Sequence, residues 1–366
     1  MRSRVGGGSF WLMAKSDPLE DGFRKAKSVL TLGGRTVDWK RIGLAVVLTL
    51  GSALHSHSAF AENDPSLGEQ LVDVMNRLFG EHPGLRPMHT KGVVVEGSFT
   101  PTGAGSALST AALFQAAATS VTARFSDATG LPAIADGDPN ANPHGLGLRF
   151  HLADGGEMDI VANSLKFFPV ATAEAFLELL QAVAASGPGV ATPTPLERFV
   201  ADHPSVPLAF ASAPTPASYA RERYNGINAF DFVDAAGQHH SFRFRLAPVA
   251  GEAHLSAEEA AKRPPDFLAD ELRQTLSQSP VSFRLLAQLA KPGDPIADPS
   301  RAWPDDRELV DLGEITLTQL ATDNAATEKE LMLLPGNLPA GIEPSEDPMI
   351  GVRNETYAVS FSRRAQ

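Results

Sequence analysis

The chain has 366 residues, a formal net charge of -12 at pH 7 and no cysteine. Hydrophobic residues make up 43% of it and charged residues 20%, which supplies enough apolar side chain for a folded core. The absence of cysteine excludes disulfides, thiolate-bound zinc, iron–sulfur clusters and haem attached through cysteine. The acidic balance, without a block of Lys and Arg, argues against a nucleic-acid partner, because phosphate binding draws on clustered cations.

The first 61 residues are similar to a targeting segment. Lys40 and Arg41 precede the apolar run 42–54, and Ala59 and Ala61 are small residues at the spacing found at signal-peptidase sites. The apolar run is shorter than the roughly 20 residues of a membrane-spanning helix. We therefore expect cleavage after Ala61, a mature domain at 62–366 and a periplasmic or secreted location. An uncleaved leader would instead tie the protein to a membrane.

Short elements follow one another along the rest of the chain, without a linker or a repeat, which predicts one mixed α+β domain. Strands are predicted, from β-branched or alternating residues, at 91–99, 145–152, 227–233 and 240–246. The last two are joined by a short turn that contains glycine, so they predict a hairpin. Helices are predicted at 69–79, 172–185, 257–261, 267–278 and from 347 to about 364, the last with Ser345 as its N-cap.

Three residues of the last predicted helix share one face. At about 100° per residue, Arg353, Tyr357 and Arg364 lie within about 40° of one another. A guanidinium beside a phenol stabilises the phenolate, which is the form that binds a metal. The same spacing also fits a half-buried tyrosine packed on arginine stems. Spacing alone therefore leaves a metal ligand and a packing role open.

The residues around this face carry a resemblance to a known family. Residues 341–357 (GIEPSEDPMIGVRNETY) resemble the haem-ligand segment of the haem catalase superfamily. The resemblance implies that Tyr357 is the axial ligand of haem iron, as tyrosine is in catalases. It also implies that Arg353 keeps this tyrosine a phenolate and that Arg364 contacts a haem propionate.

Three upstream segments resemble further motifs of this family, in the family's order: 86–92 (RPMHTKG), 122–126 (TARFS) and 159–168 (DIVANSLKFF). The resemblance implies that His89 is the distal acid/base, that Ser126 orients its ring and that Asn163 assists. A histidine near neutrality can move a proton between the two oxygens of a peroxide, and an amide can steady the departing oxygen.

The same segments imply cofactor contacts by Arg86, Arg124 and Phe168. The segment between Asn163 and the phenylalanine pair is one residue shorter than in the long catalases. Ser164 is the neighbour of Asn163 and a competing candidate.

The resemblance implies an antiparallel eight-stranded β-barrel with surrounding helices, and haem b between the barrel and the C-terminal helix. The sequence ends soon after Tyr357, which is similar to the small catalase-related peroxidase branch. We therefore expect a haem peroxidase that reduces hydrogen peroxide and organic hydroperoxides with small organic reductants and has weak catalase activity. A homodimer is the candidate assembly.

A hydroperoxide-rearranging enzyme, similar to allene oxide synthases, and a non-catalytic haem-binding protein stay open as alternatives. A zinc enzyme is disfavoured, because neither His55 with His57 nor His239 with His240 has a credible third ligand.

Overall fold

The computed structural model describes residues 64–115 and 118–365. The leader predicted at 1–61 lies outside these residues, so its cleavage stays a prediction. Within the described part of the chain, no helix combines the length and the apolar character that crossing a membrane requires.

The described residues form ten strands, all paired antiparallel, in the order β10-β6-β7-β5-β4-β3-β2-β1-β9-β8. A further pairing between β7 and β8 closes eight of them into a barrel, and β6 and β10 continue the sheet outside the ring. The predicted eight-stranded antiparallel barrel is therefore confirmed. The strands are β1 (Gly92–Pro101), β2 (Thr119–Asp127), β3 (His144–His151), β4 (Glu157–Asn163), β5 (Tyr224–Asn225), β6 (Phe230–Val233), β7 (His239–Pro248), β8 (Val281–Leu289), β9 (Leu309–Leu320) and β10 (Ile342–Pro344).

Helices surround the barrel and confirm the predicted α+β class. Near the chain ends, α1 (Leu67–Phe79) packs against both α2 (Ala173–Ala184) and α8 (Met349–Arg364). The first helix begins with a capping box, in which Ser66 Oγ accepts from the N–H of Glu69 and Glu69 accepts from the N–H of Ser66. The helices are α1 (Leu67–Phe79), α2 (Ala173–Ala184), α3 (Pro195–Asp202), α4 (Ser205–Ala211), α5 (Ala257–Ala261), α6 (Phe267–Leu276), α7 (Asn324–Glu330) and α8 (Met349–Arg364).

Strand β2 shows how the barrel wall presents polar residues to one side. Ala123 and Phe125 are buried in the main hydrophobic core. Arg124 and Ser126, which alternate with them, line a cavity instead. Because successive side chains of a strand point to opposite faces, a wall with an apolar interior can offer a row of functional groups outside.

The predicted hairpin is present, with Phe230 opposite Phe242 and Val233 opposite His239. Its first strand is shorter than predicted, since residues 227–229 belong to no strand and separate β5 from β6.

The prediction of Ser345 as an N-cap is wrong. Helix α8 begins at Met349, and Pro348 is the capping residue. Ser345 Oγ instead accepts from the N–H of Asp347 at 3.2 Å and donates to the carbonyl of Ala229 at 2.8 Å. The serine therefore fastens the turn before α8 to the loop between β5 and β6.

Candidate active site

Nine site residues were predicted from the sequence, and all nine line one cavity of about 1280 Å³. Two strands, one helix and two loops bring them there from opposite ends of the chain. The nine residues are Arg86, His89, Arg124, Ser126, Asn163, Phe168, Arg353, Tyr357 and Arg364.

His89 lies in the loop before β1 and is held on three sides. Its Nδ1 lies 3.0 Å from Ser126 Oγ, and its N–H donates to the carbonyl of Ala128 at 3.1 Å. Its own carbonyl accepts from Arg124 Nη2 at 2.8 Å. In the part of the chain that is described, it is the one non-glycine residue with a positive φ, of 54°. Such backbone strain persists only where the surroundings impose it, and it is common at functional sites.

The surroundings of His89 keep its ring neutral. Burial, together with the charges of Arg124 and Arg353 and against the opposing charge of Asp127, lowers its pKa from 6.5 to about 3. A neutral imidazole whose Nδ1 pairs with Ser126 has Nε2 left to accept a proton. The ring is therefore neutral across the physiological pH range.

A glycine makes room for this ring on β3. Gly145 pairs with Ser126 across the sheet. A Cβ at position 145 would lie 2.8 Å from Ser126 Oγ and 2.9 Å from His89 Nδ1, closer than real Cβ contacts. Only glycine therefore lets the ring and the serine hydroxyl lie against β3 as they do.

Asn163 ends β4, directly opposite Gly145. Its Oδ1 accepts from the N–H of Leu165 at 2.9 Å, which leaves the amide NH₂ as the donor at the cavity. Ser164 points the other way and accepts from the N–H of His144 at 3.0 Å. Of the two neighbours, Asn163 is thus the one that reaches the cavity.

Across the cavity, α8 carries Tyr357 and Arg353 one turn apart. Arg353 Nη2 donates to Tyr357 Oη at 3.0 Å, and its Nη1 donates to Asn228 Oδ1. Asn228 Nδ2 in turn donates to a carboxylate oxygen of Asp347 at 2.7 Å, and the N–H of Met349 donates to the other at 2.9 Å. Burial raises the pKa of Asp347. This buried chain fixes the guanidinium that faces the phenol, and sequence reasoning missed its asparagine and its aspartate.

Three arginines form a cluster at another edge of the cavity. Arg86 and Arg364 each donate from Nη2 to the carbonyl of Leu331, both at 2.7 Å. Arg124 and Arg86 both lie 2.8 Å from the same carboxylate oxygen of Glu328. Burial, with the charges of the other arginines, lowers the pKa of Arg86 to about 8, and burial lowers that of Arg364 to about 10.

These features fit a large apolar group with an anionic edge, such as haem. Arg124 Nε is buried without a hydrogen-bond partner among the described residues, so the cluster has a donor to offer. Tyr357 offers an oxygen ligand, and the cavity walls between them are mainly apolar. Phe168 is part of this wall, and its ring lies 4.9 Å from that of Phe176.

Comparison with known proteins agrees with the motifs. A sequence model of the catalase family matches residues 65–365. A catalase-related peroxidase from Mycolicibacterium paratuberculosis is 34% identical over 300 residues, 81% of this chain and 94% of that protein. Another catalase-related peroxidase, from Synechococcus elongatus, is 32% identical over 344 residues, 92% of this chain and 99% of that protein.

The fold is also similar to that of a solved catalase structure. The structure of catalase A from Saccharomyces cerevisiae superposes with a TM-score of 0.68 at 18% identity, covering 89% of this chain and 68% of that one. The predicted family resemblance is thus confirmed by sequence along most of the chain. The chain belongs to the catalase family.

Proposed function

We propose that this protein is a haem-dependent peroxidase that reduces hydrogen peroxide and organic hydroperoxides with a small organic electron donor. One observation carries the proposal: three separate motifs meet at one cavity as two oriented pairs, His89 with Ser126 and Arg353 with Tyr357. The two relatives named catalase-related peroxidases support the same activity.

The cofactor that we propose is haem b, held without a covalent bond to cysteine. Tyr357 would bind its iron, and Arg353 Nη2 donates a hydrogen bond to the phenol oxygen that would do so. Arg86, Arg124 and Arg364 would bind its carboxylates. Bound haem supplies the redox-active iron at which the peroxide bond is cleaved.

The chain's own residues would handle the protons. Neutral His89 takes a proton from one peroxide oxygen through Nε2 and returns it to the other, which leaves as water or an alcohol. Ser126 keeps the ring in the orientation that this transfer needs. The amide of Asn163 donates to the departing oxygen and lowers the energy of its developing charge.

The shape of the cavity favours organic substrates. Its volume of about 1280 Å³ exceeds the roughly 300–1,000 Å³ of most ligand pockets. Beyond the nine site residues it continues along apolar side chains of α2, α3 and α4, among them Leu180, Val200 and Phe210. Such a surface accepts a bulky hydroperoxide or reductant, so we propose that peroxidase turnover exceeds disproportionation of hydrogen peroxide.

The test compares spectra and products of the haem-loaded chain. We expect the absorption of a five-coordinate high-spin ferric haem, rapid dye oxidation with cumene hydroperoxide, and the corresponding alcohol as product. The Tyr357→Phe variant should lose most haem affinity, whereas His89→Ala should keep haem and react at least ~100-fold more slowly with peroxide.

Three results would contradict the proposal. A protein that stays colourless when haem is supplied would show that haem is not its cofactor. Fast oxygen release with negligible dye oxidation would show that the protein is a catalase. An epoxide formed from a fatty-acid hydroperoxide would make it a rearranging enzyme.

We also propose that residues 1–61 direct export and are removed. Mass spectrometry of the protein from the periplasm or medium of an expressing bacterium should give a mature chain that begins at Glu62. An intact leader in the membrane fraction would contradict this.

A further inference from the structure

The three arginines at the cavity edge share one acidic residue, Glu328, near the end of the short helix α7. One carboxylate oxygen, Oε2, lies 2.8 Å from both Arg86 Nη1 and Arg124 Nη2, and the side chain is 14% exposed. The third arginine, Arg364, binds the carbonyl of Leu331 immediately after α7, and the charge of Glu328 acts on it as well. Helix α7 and the residue after it therefore supply an acceptor to each arginine of the cluster.

The cluster has more positive than negative charge. Three guanidinium groups and one carboxylate leave a formal charge of two, which is the charge that a dicarboxylate would balance. The charges that lower the pKa of Arg86 are those of the other two arginines, and Glu328 opposes them. The cluster is thus electrostatically suited to an added dianion.

Two unpaired atoms show how Glu328 and such a dianion would interact. Within the described residues, Arg124 Nε and Glu328 Oε1 are both buried without a hydrogen-bond partner. A carboxylate from the cofactor would satisfy the nitrogen, which is a donor. It could not satisfy Oε1, which is an acceptor, and two carboxylates at close range repel each other.

We propose that Glu328 is an internal competitor for the arginine cluster: it pairs with the guanidinium groups that also bind the haem carboxylates, and so weakens haem retention while stabilising the haem-free chain. This inference rests on the proposed haem-binding function. Glu328 therefore stabilises the haem-free form of the protein and destabilises the haem-bound form.

These opposite effects on the two forms can be tested, because a residue with only a structural role would not slow haem loss when it is replaced. The full chain, loaded with haem, is mixed with excess apomyoglobin, and haem transfer is followed by absorbance for the wild type and for Glu328→Gln. Removing the competing charge should slow haem loss about tenfold. The same substitution should lower the thermal midpoint of the haem-free chain, because it leaves buried guanidinium groups without their counter-ion. The matched control is Glu330→Gln, an exposed residue of the same helix, which should change neither measurement.

A second probe separates charge competition from a change of shape. Iron protoporphyrin dimethyl ester has the same ring as haem but no free carboxylates. Glu328→Gln should leave its loss rate within about twofold of the wild type.

The outcomes are distinct. Equal or faster haem loss from Glu328→Gln, or equal slowing with the dimethyl ester, would overturn the competition. Failure of the wild type to bind haem at all would instead overturn the proposed function.

Discussion

Replacing His89 by glutamine should make the stability of the haem-free chain less sensitive to acid. The pKa of His89 is about 3 in the folded chain, against 6.5 for an unperturbed histidine. As pH falls through 6.5, the unfolded chain takes up a proton at this residue and the folded chain does not. The contribution of His89 to the free energy of unfolding is therefore complete above about pH 6.5 and is lost progressively as pH falls toward 3.

The size of the effect follows from the width of this window. Each pKa unit corresponds to about 1.4 kcal/mol, so the whole window is worth at most about 5 kcal/mol. The ring borders the cavity, where water screens charge, and pH 4 does not reach the end of the window. We therefore expect the wild type to lose about 2 kcal/mol more than His89→Gln between pH 7.5 and pH 4.

The assay is urea unfolding of the full, haem-free chain at the two pH values. Differencing wild type and variant removes the contribution of the other titrating groups, which both share. His239→Gln is the matched control, because His239 is 51% exposed and should follow the wild type. Parallel losses of unfolding free energy in wild type and His89→Gln would refute the argument that burial and the arginines keep the ring neutral.

Three further substitutions test the site. Ser126→Ala should leave haem binding intact and slow the reaction with peroxide about tenfold, because the histidine ring loses its orienting partner; stopped-flow absorbance should show no such slowing for Ser120→Ala, an exposed serine of the same strand. Gly145→Ala should destabilise the chain by about 1–3 kcal/mol in urea unfolding, since its Cβ has no room, and an unchanged midpoint would contradict the packing. Asn228→Ala should lower stability by about 1–3 kcal/mol by leaving buried groups unpaired, and the haem spectrum should report a disturbed Tyr357 environment; an unaltered spectrum would disconnect the asparagine from the tyrosine.

The motifs predicted more of the fold than the residue patterns did. The barrel was expected from the family resemblance, whereas no strand was predicted at β8 or β9 from the pattern. In β9 the alternation is broken where the register shifts opposite Leu285 and Leu286, so that Leu312 and Gly313 are both buried. A bulge places two successive residues on the inside, and a period of two then no longer describes the strand.

Local chemistry also misplaced a helix start. Ser345 ahead of acidic residues is typical of an N-cap, but Pro348 follows before the first helical turn. A proline fits the beginning of a helix, since its φ is already helical and it has no N–H to leave unpaired. The side chain of Asp347 accepts from the N–H of Met349 at the start of the helix. Such an acceptor role had been predicted for Ser345.

The site was predictable in part because helical spacing is rigid. Arg353 and Tyr357, four residues apart, form the hydrogen bond that a shared helix face allows. Their partner Asn228 lies 125 positions from Arg353 in the sequence, and Glu328 lies 242 from Arg86. No local pattern encodes such a contact, because the barrel and the loops after it bring these residues together only in the folded chain.

Ring closure also limits the ways in which copies of this chain can associate. Among the described strands, β10 lies at one end of the strand order, and it is three residues long and ends at Pro344. Proline has no N–H to offer to an incoming strand, and so short an edge is a poor template for one. A second copy of the chain would therefore gain little by adding a strand at β10, and this edge of the folded protein is protected against growth by backbone pairing.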